Sequence, residues 1–399
     1  MRQAPSYGML MLISCGVAFG CYFATNMRLP VVPLYARSLG INTAQIGFIN
    51  SAFFLMAGFL SLPFGFVSDR WGHKLLVSLG LMVLTGASFL LYFSNTFAQL
   101  MWAYIFIGIG VAAFSPTMMS FVADISPVTH LGRSYGWYTT AIYSGMSLGP
   151  AAGGFLAQTS GFLQVFLISG ALVFLNFWIV LFFLPRTRSV LEPNSEKPQI
   201  ATSVRKLFQN RPLMGCWLVT LGGCFGLGMF ITFIPLHAQN QGLNVSQIGL
   251  VFFAQGLANA ISRIPLGYLS DKVTDRKILV VIGIIGFAVA MAGFGVARTA
   301  GYFMMFAIAL GVSMGLAFTS VGALIAETAD SESRGLAMGG YNTCIYFGMM
   351  LNAVLMGTLI QTIGFKYAFY LTAVVNLFFM AFFYLLMKDF SPIRNEPVC

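Results

Sequence analysis

Charge is what this 399-residue chain has least of: 8% of its residues are Asp, Glu, Lys or Arg, where a soluble domain carries roughly 25%. With 58% hydrophobic residues, a water-soluble globule is excluded. Histidine occurs at positions 73, 130 and 237 alone, too dispersed for a metal centre or a nucleophile-base pair. The six cysteines, at 15, 21, 216, 224, 344 and 399, form no CxxC pair and lie mostly inside apolar runs, so they read as small buried hydrophobes. No Gly-Lys dipeptide exists, which removes the phosphate-binding loop of an ATP-driven pump. Neither metal nor cofactor is expected, and no enzymatic activity. Short alternating strands are missing as well, against a β-barrel.

What is there is length and apolarity. A membrane span needs about 20 apolar residues, and apolar runs between polar breaks give twelve, centred near residues 21, 55, 85, 111, 146, 174, 224, 257, 288, 314, 347 and 377. The first, from about Tyr7 to Leu34, is too long for a signal-peptide core and lacks an obvious cleavage site. The 43 Gly and 40 Phe suit close helix packing in lipid. The longest hydrophilic stretch, Pro185 to Pro212, divides the spans six and six. The expected organisation is an N-terminal six-helix bundle (1–188), a linker (189–211) and a C-terminal six-helix bundle (212–399).

The halves are repeats. Pro33-Leu34-Tyr35-Ala36 through Gly40-Ile41-Asn42 and Gln45-Ile46-Gly47 recurs 202 residues later as Pro235-Leu236-His237-Ala238 through Gly242-Leu243-Asn244 and Gln247-Ile248-Gly249. Pro63, Gly65, Ser68 and Asp69 meet Pro265, Gly267, Ser270 and Asp271 at the same offset. At offset 203, Gly136, Tyr138, Thr140, Tyr143 and Gly145 meet Gly339, Tyr341, Thr343, Tyr346 and Gly348. Duplication of a six-helix unit follows.

Sixteen of the 21 Lys and Arg fall on one side of these spans, six of them in the linker; Arg37, Arg298 and Lys366 fall on the other, and Arg28 and Arg263 within spans. By the positive-inside rule both termini and the linker are cytoplasmic, and the expected location is the bacterial cytoplasmic (inner) membrane. The basic balance is thus topological and does not point to nucleic acid.

Parallel six-helix halves point to a secondary transporter whose site lies between them near the midplane. After span 2 the chain reads Gly65-Phe66-Val67-Ser68-Asp69-Arg70-Trp71-Gly72-His73-Lys74, and after span 8 Gly267-Tyr268-Leu269-Ser270-Asp271-Lys272. These loops resemble the Gly-x-x-x-Asp-Arg-x-Gly signature of the major facilitator superfamily, and the likeness extends over essentially the whole chain. Span 5 carries Gly145-Met146-Ser147-Leu148-Gly149-Pro150-Ala151-Ala152-Gly153-Gly154, a GxxxGPxxGG string that resembles the motif of the twelve-span drug-proton antiporter (multidrug efflux) families. The resemblance implies the major facilitator fold, alternating access, and proton-coupled efflux. It also implies that Asp69, with Gly65, Arg70 and Gly72, locks the cytoplasmic gate, with Asp271 as its mirror. Gly145, Gly149, Pro150 and Gly153 would serve as a packing face or as the export motif. One position departs: the antiporter pattern has an Arg before Gly-x-Gly in span 4, and here Tyr104 precedes Gly108-Ile109-Gly110, so that arginine's role in proton coupling has no bearer.

All eleven acids lie at cytoplasmic ends or loops. Proton coupling must then use the rim acids, with Asp124 closing span 4, Glu327 closing span 10, and Asp69 as candidates, or another mechanism. A charge inside a span is costly and marks function or snorkelling. Gln255, Asn259 and Arg263 share one face of span 8 at i+4 spacing, whereas their repeat partners Phe53, Ala57 and Ser61 are apolar or small; Arg263 contacts substrate or snorkels to the surface. Arg28 either points into the cavity or reaches the outer interface, while Asn26, four residues after Tyr22, is the better pocket candidate. Tyr138, Tyr341, Asn342 and Tyr346 are candidate walls. Two arginines without carboxylate partners favour an anionic or zwitterionic substrate over a lipophilic cation. The expected function is export of a small amphipathic or anionic organic compound in exchange for protons by a monomer in the lipid bilayer. Uptake or proton-independent transport of an organic anion is the alternative, and a non-transporting membrane receptor on the same fold the lesser one.

Overall fold

A computed structural model describes residues 6–185, 207–273, 275–329 and 334–388, apart from the side chains of Phe66, Asp69, Val128, Asp271 and Arg334. The described chain is a succession of helices: α1 Tyr7–Met27, α2 Val31–Ser38, α3 Thr43–Trp71, α4 His73–Phe93, α5 Phe97–Ile125, α6 Leu131–Ser160, α7 Phe162–Phe183, α8 Arg211–Asn240, α9 Val245–Lys272, α10 Arg276–Val296, α11 Ala300–Thr328 and α12 Arg334–Leu386. Ten stretches are long and apolar enough to cross a membrane. The last of them, Gly335–Leu386, holds two spans, because Gly364 at φ 77° breaks α12. The first joins α1 to α2, and α6, with more Gly, Ser and Tyr, supplies the remaining span. This is the all-α, twelve-span architecture that the apolar runs predict. Of the linker expected at 189–211, all but 207–211 lies outside the described residues.

The duplication is visible in backbone detail. Asn42 and Asn244 each accept from the backbone N–H three residues on, while Gln45 and Gln247 reach back to the cap N–H; both are reciprocal capping boxes satisfying otherwise orphaned donors. Gly40 and Gly242 precede them at φ 80° and 85°, a left-handed turn that glycine adopts without Cβ strain. These features mark one end of the bundle, the capping-box end. Lys74, Arg133, Lys272, Arg276 and Lys388 mark the opposite, basic end.

Proline interrupts several spans, at Pro63, Pro116, Pro150, Pro235 and Pro265. Neighbouring helices and hydroxyls make this tolerable in lipid. Lipid supplies no hydrophobic drive between helices, so close backbone approach holds the halves together. α3 of the N half lies on the first segment of α12, where Gly47 meets Ala353 and Gly357 and Gly58 meets Tyr346. Its symmetry mate is α6 on α9: a Cβ on Gly154 would stand 2.7 Å from Val245 O, and one on Gly256 2.7 Å from Ser147 Oγ. At the capping-box end, Arg37 Nη1 donates to Leu236 O (3.3 Å) and Val245 N to Gln158 Oε1 (3.2 Å). The halves are therefore sealed at that end.

Candidate functional site

Span 8 brings its polar stripe to the seam between the halves. Arg263 Nε donates to Asn259 Oδ1 at 3.2 Å, one turn back on α9, and the guanidinium carbon sits 4.4 Å from the centre of the Tyr143 ring on α6. That cation–π contact crosses from one half to the other and is worth about 0.5–2 kcal/mol, depending on desolvation. Arg263 thus stacks on a ring; it is not free to snorkel in this state. Gln255 turns away and donates to Met314 Sδ at 3.1 Å within its own half.

Tyrosines complete the seam. Tyr341 lies in electrostatic range of both Arg263 and Tyr143, and Tyr22 in range of Tyr143 and Tyr346. The Tyr22 hydroxyl is held by Ser115 Oγ at 2.8 Å, with Phe114 edge-on to its ring. Four phenols and one guanidinium, from α1, α6, α9 and α12, therefore form an aromatic, hydrogen-bonding enclosure shared by both halves. Asn342, on the adjacent face of α12, is exposed. Tyr138 is buried with its hydroxyl unpartnered, in range of Tyr22.

Arg28 follows neither course open to it from sequence. The helix stops at Met27 and is capped by Arg28, ahead of Pro30, which caps α2, and of Pro33 within α2. Its side chain turns into the N bundle, only 3% exposed, where Nη1 donates to Ser88 Oγ at 2.7 Å; Tyr104 stands in electrostatic range, and Nη2 has no partner. At offsets 202 and 203 the C half has Phe230, Met291 and Ala307 in place of Arg28, Ser88 and Tyr104. The same packing position is filled there by apolar groups, so the fold does not require a guanidinium. Asn26 instead bonds its own helix, Nδ2 to Tyr22 O at 2.7 Å, and packs against Gly149.

The basic end carries two related clusters. Ser68 Oγ is 2.6 Å from His73 Nδ1, and His73 Nε2 is 2.7 Å from Asp124 Oδ2. In the other half, Arg276 Nη1 donates to Glu327 Oε1 at 2.6 Å and Nε to Ser270 O at 3.1 Å. His73 and Arg276, like Asp124 and Glu327, are 203 residues apart, so each pair ties the start of one helix to the end of another in the same way. Gly72 joins α3 to α4 at φ 90°; Arg70 is exposed, and no side chain crowds Gly65. The side chains of Asp69 and Asp271, in the last turns of α3 and α9, lie outside the described residues. Gly145, Gly149 and Gly153 pack successively on Phe19, Phe23 and Met27 of α1, and Pro150 O faces Gly249 of the other half. The string therefore packs within its half and across the seam at once.

The family model described as Major Facilitator Superfamily matches residues 14–246 and again 216–398. The chain belongs to the Major Facilitator Superfamily. It is 27% identical over 354 residues to an uncharacterized MFS-type transporter of Methanocaldococcus jannaschii, covering 87% of this chain and 90% of that one. It is 28% identical over 257 residues to the quinolone resistance protein NorA of Staphylococcus aureus; that match spans 64% of each chain. In fold it is similar to a bacterial homolog of the human lysosomal transporter Spinster, crystallised inward-facing and unoccupied. The TM-score is 0.82 at 15% identity, over 99% of this chain and all of that one. Superfamily membership makes the chain an integral membrane transporter.

Sequence reasoning singled out Arg28 and Arg263 as unusual but missed their neighbours. Tyr143 sits in the repeat pairing with Tyr346, yet only knowledge that α6 faces α9 brings it to Arg263. His73 had a readable signal, since its repeat mate is Arg276. Ser88 and Ser115 are lone hydroxyls in apolar spans, with nothing to distinguish them from hydroxyls bonded to their own helix.

Proposed function

We propose that this transporter exports a small amphipathic or anionic organic compound by alternating access, in exchange for protons. The observation that carries the reading is the enclosure at the seam: the Arg263 guanidinium stacked on Tyr143 with Tyr341 in range of both, and Tyr22 in range of Tyr143 and Tyr346, contributed by both halves. Phenol rings accept an apolar body and the guanidinium pairs an anionic head. A ligand bound there touches residues 1–188 and 212–399 together and so links its own binding to their rocking. The Lys/Arg distribution assigns the basic end to the cytoplasm; the sealed capping-box end is then outside, and this form faces inward. Export draws support from the likeness to a protein named for quinolone resistance. Proton exchange falls to the rim carboxylates Asp69, Asp124 and Glu327, with Asp69 and Asp271 as gate locks in a monomer.

Proton-independent movement of an organic anion is the second reading, favoured by the absence of any Asp or Glu from the mid-membrane positions of the sequence. Both readings share the binding test. In a thermal-shift panel of anionic, neutral and cationic amphipaths, Arg263→Gln weakens binding of anions more than of neutral compounds. Equal weakening of both classes removes the anion assignment.

A further inference from the structure

The capping-box end of the bundle holds no Asp or Glu in any of its turns, and its three basic residues are Arg37, Arg298 and Lys366. They are far apart in sequence and sit on α2, on the turn between α10 and α11, and at the start of the second segment of α12. The structure brings all three to two adjoining cavities. One, of about 280 Å³, is lined by Arg298 and Lys366 with His237, Asn240 and Gln241. The other, of about 370 Å³, is lined by Arg37 with Asn42, Thr43 and Gln361. Phe365 forms a wall of both.

The cations are exposed and lack a carboxylate to balance them. Arg37 uses one N–H on Leu236 O out of the five a guanidinium offers. Lys366 Nζ lies 5.8 and 6.0 Å from the rings of Tyr367 and Tyr370, contacts that leave its N–H groups available. Basic residues are disfavoured on the outer face of a membrane protein, so convergence of the three that occur there calls for a ligand. A monocarboxylate satisfies one guanidinium; three cations edged with amide groups match a di- or trivalent oxyanion.

We infer that this end carries an anion site, built by Arg37 of the N half and Arg298 and Lys366 of the C half around Phe365, which takes a phosphoryl group. Because its cations come from both halves, a bound anion bridges the seam and favours the form sealed at this end. The site is separate from the tyrosine enclosure and does not depend on what the transporter carries. Its source is either a phospholipid headgroup or a soluble phosphate compound.

The test is titration of the purified full-length protein with inorganic pyrophosphate in detergent. Arg37→Gln, Arg298→Gln and Lys366→Gln each weaken binding by roughly threefold to tenfold, the range for charge-assisted contacts at exposed positions, and the triple variant abolishes it. Arg133→Gln at the opposite end leaves it unchanged. All four positions are exposed, so the variants fold. Absence of wild-type binding, or equal weakening by Arg133→Gln, overturns the assignment. Repeating the titration in nanodiscs identifies the source. Loss of wild-type binding when phosphatidylglycerol replaces phosphatidylcholine supports a headgroup site, and retained binding supports a soluble ligand.

Discussion

Replacing Arg28 by Met tests whether the fold needs a guanidinium inside the N bundle. The guanidinium is 3% exposed and bonded through Nη1 to Ser88 at 2.7 Å, with Nη2 unpartnered. Substitution loses the charge-assisted hydrogen bond to Ser88, about 1.5–3 kcal/mol, and a long one of 3.5 Å from Nε to Thr25 O. It also removes the desolvation penalty of a buried cation, which is several kcal/mol, so the net effect runs from neutral to about 4 kcal/mol stabilising. Ser88 is not orphaned, because its hydroxyl also donates to Leu84 O at 2.7 Å. The C half already has the apolar equivalent in Phe230, Met291 and Ala307. Arg28→Met therefore melts at or above the wild-type temperature in detergent, and because the side chain lies inside the N bundle and not in the cavity, affinity for an anionic ligand stays at the wild-type level. A melting temperature well below wild type would show that the fold needs the guanidinium, and would refute the reasoning.

Two further perturbations test the seam and the basic end. Gly154→Val forces a side chain onto Val245 O and the Gly249 backbone, so the α6–α9 seam opens; maleimide labelling of Ser147→Cys, buried against Gly256 of the other half, in a background without the native cysteines rises severalfold, and unchanged labelling contradicts the seal. His73→Arg copies the Arg276–Glu327 pair of the other half and retains transport, whereas His73→Leu strands Asp124 and slows it. Identical rates for the two variants dismiss the pair.

The architecture was legible because lipid imposes simple rules: span length and a 202-to-203-residue repeat each need only one dimension of information. The capping boxes at Asn42 and Asn244 could be read the same way, from the repeat. Side-chain destinations could not. Arg28 lies at a helix break, where Pro30 and Pro33 change the direction that ideal helical geometry assigns, and its partner Ser88 belongs to a span 60 residues on. Arg263 was recognised as unusual from its i+4 companions, but Tyr143 became its partner only through the facing of α6 and α9. Likewise, Arg37, Arg298 and Lys366 were three exceptions to a topology count until folding placed them round Phe365.

The central claim is transport through the enclosure between the halves. Its most direct test is flux in proteoliposomes of the anionic amphipath that gives the largest thermal shift, with and without an imposed pH gradient. The account predicts saturable flux that Arg263→Gln impairs and that a proton gradient opposed to substrate movement accelerates. Tight binding with no flux under either condition contradicts it.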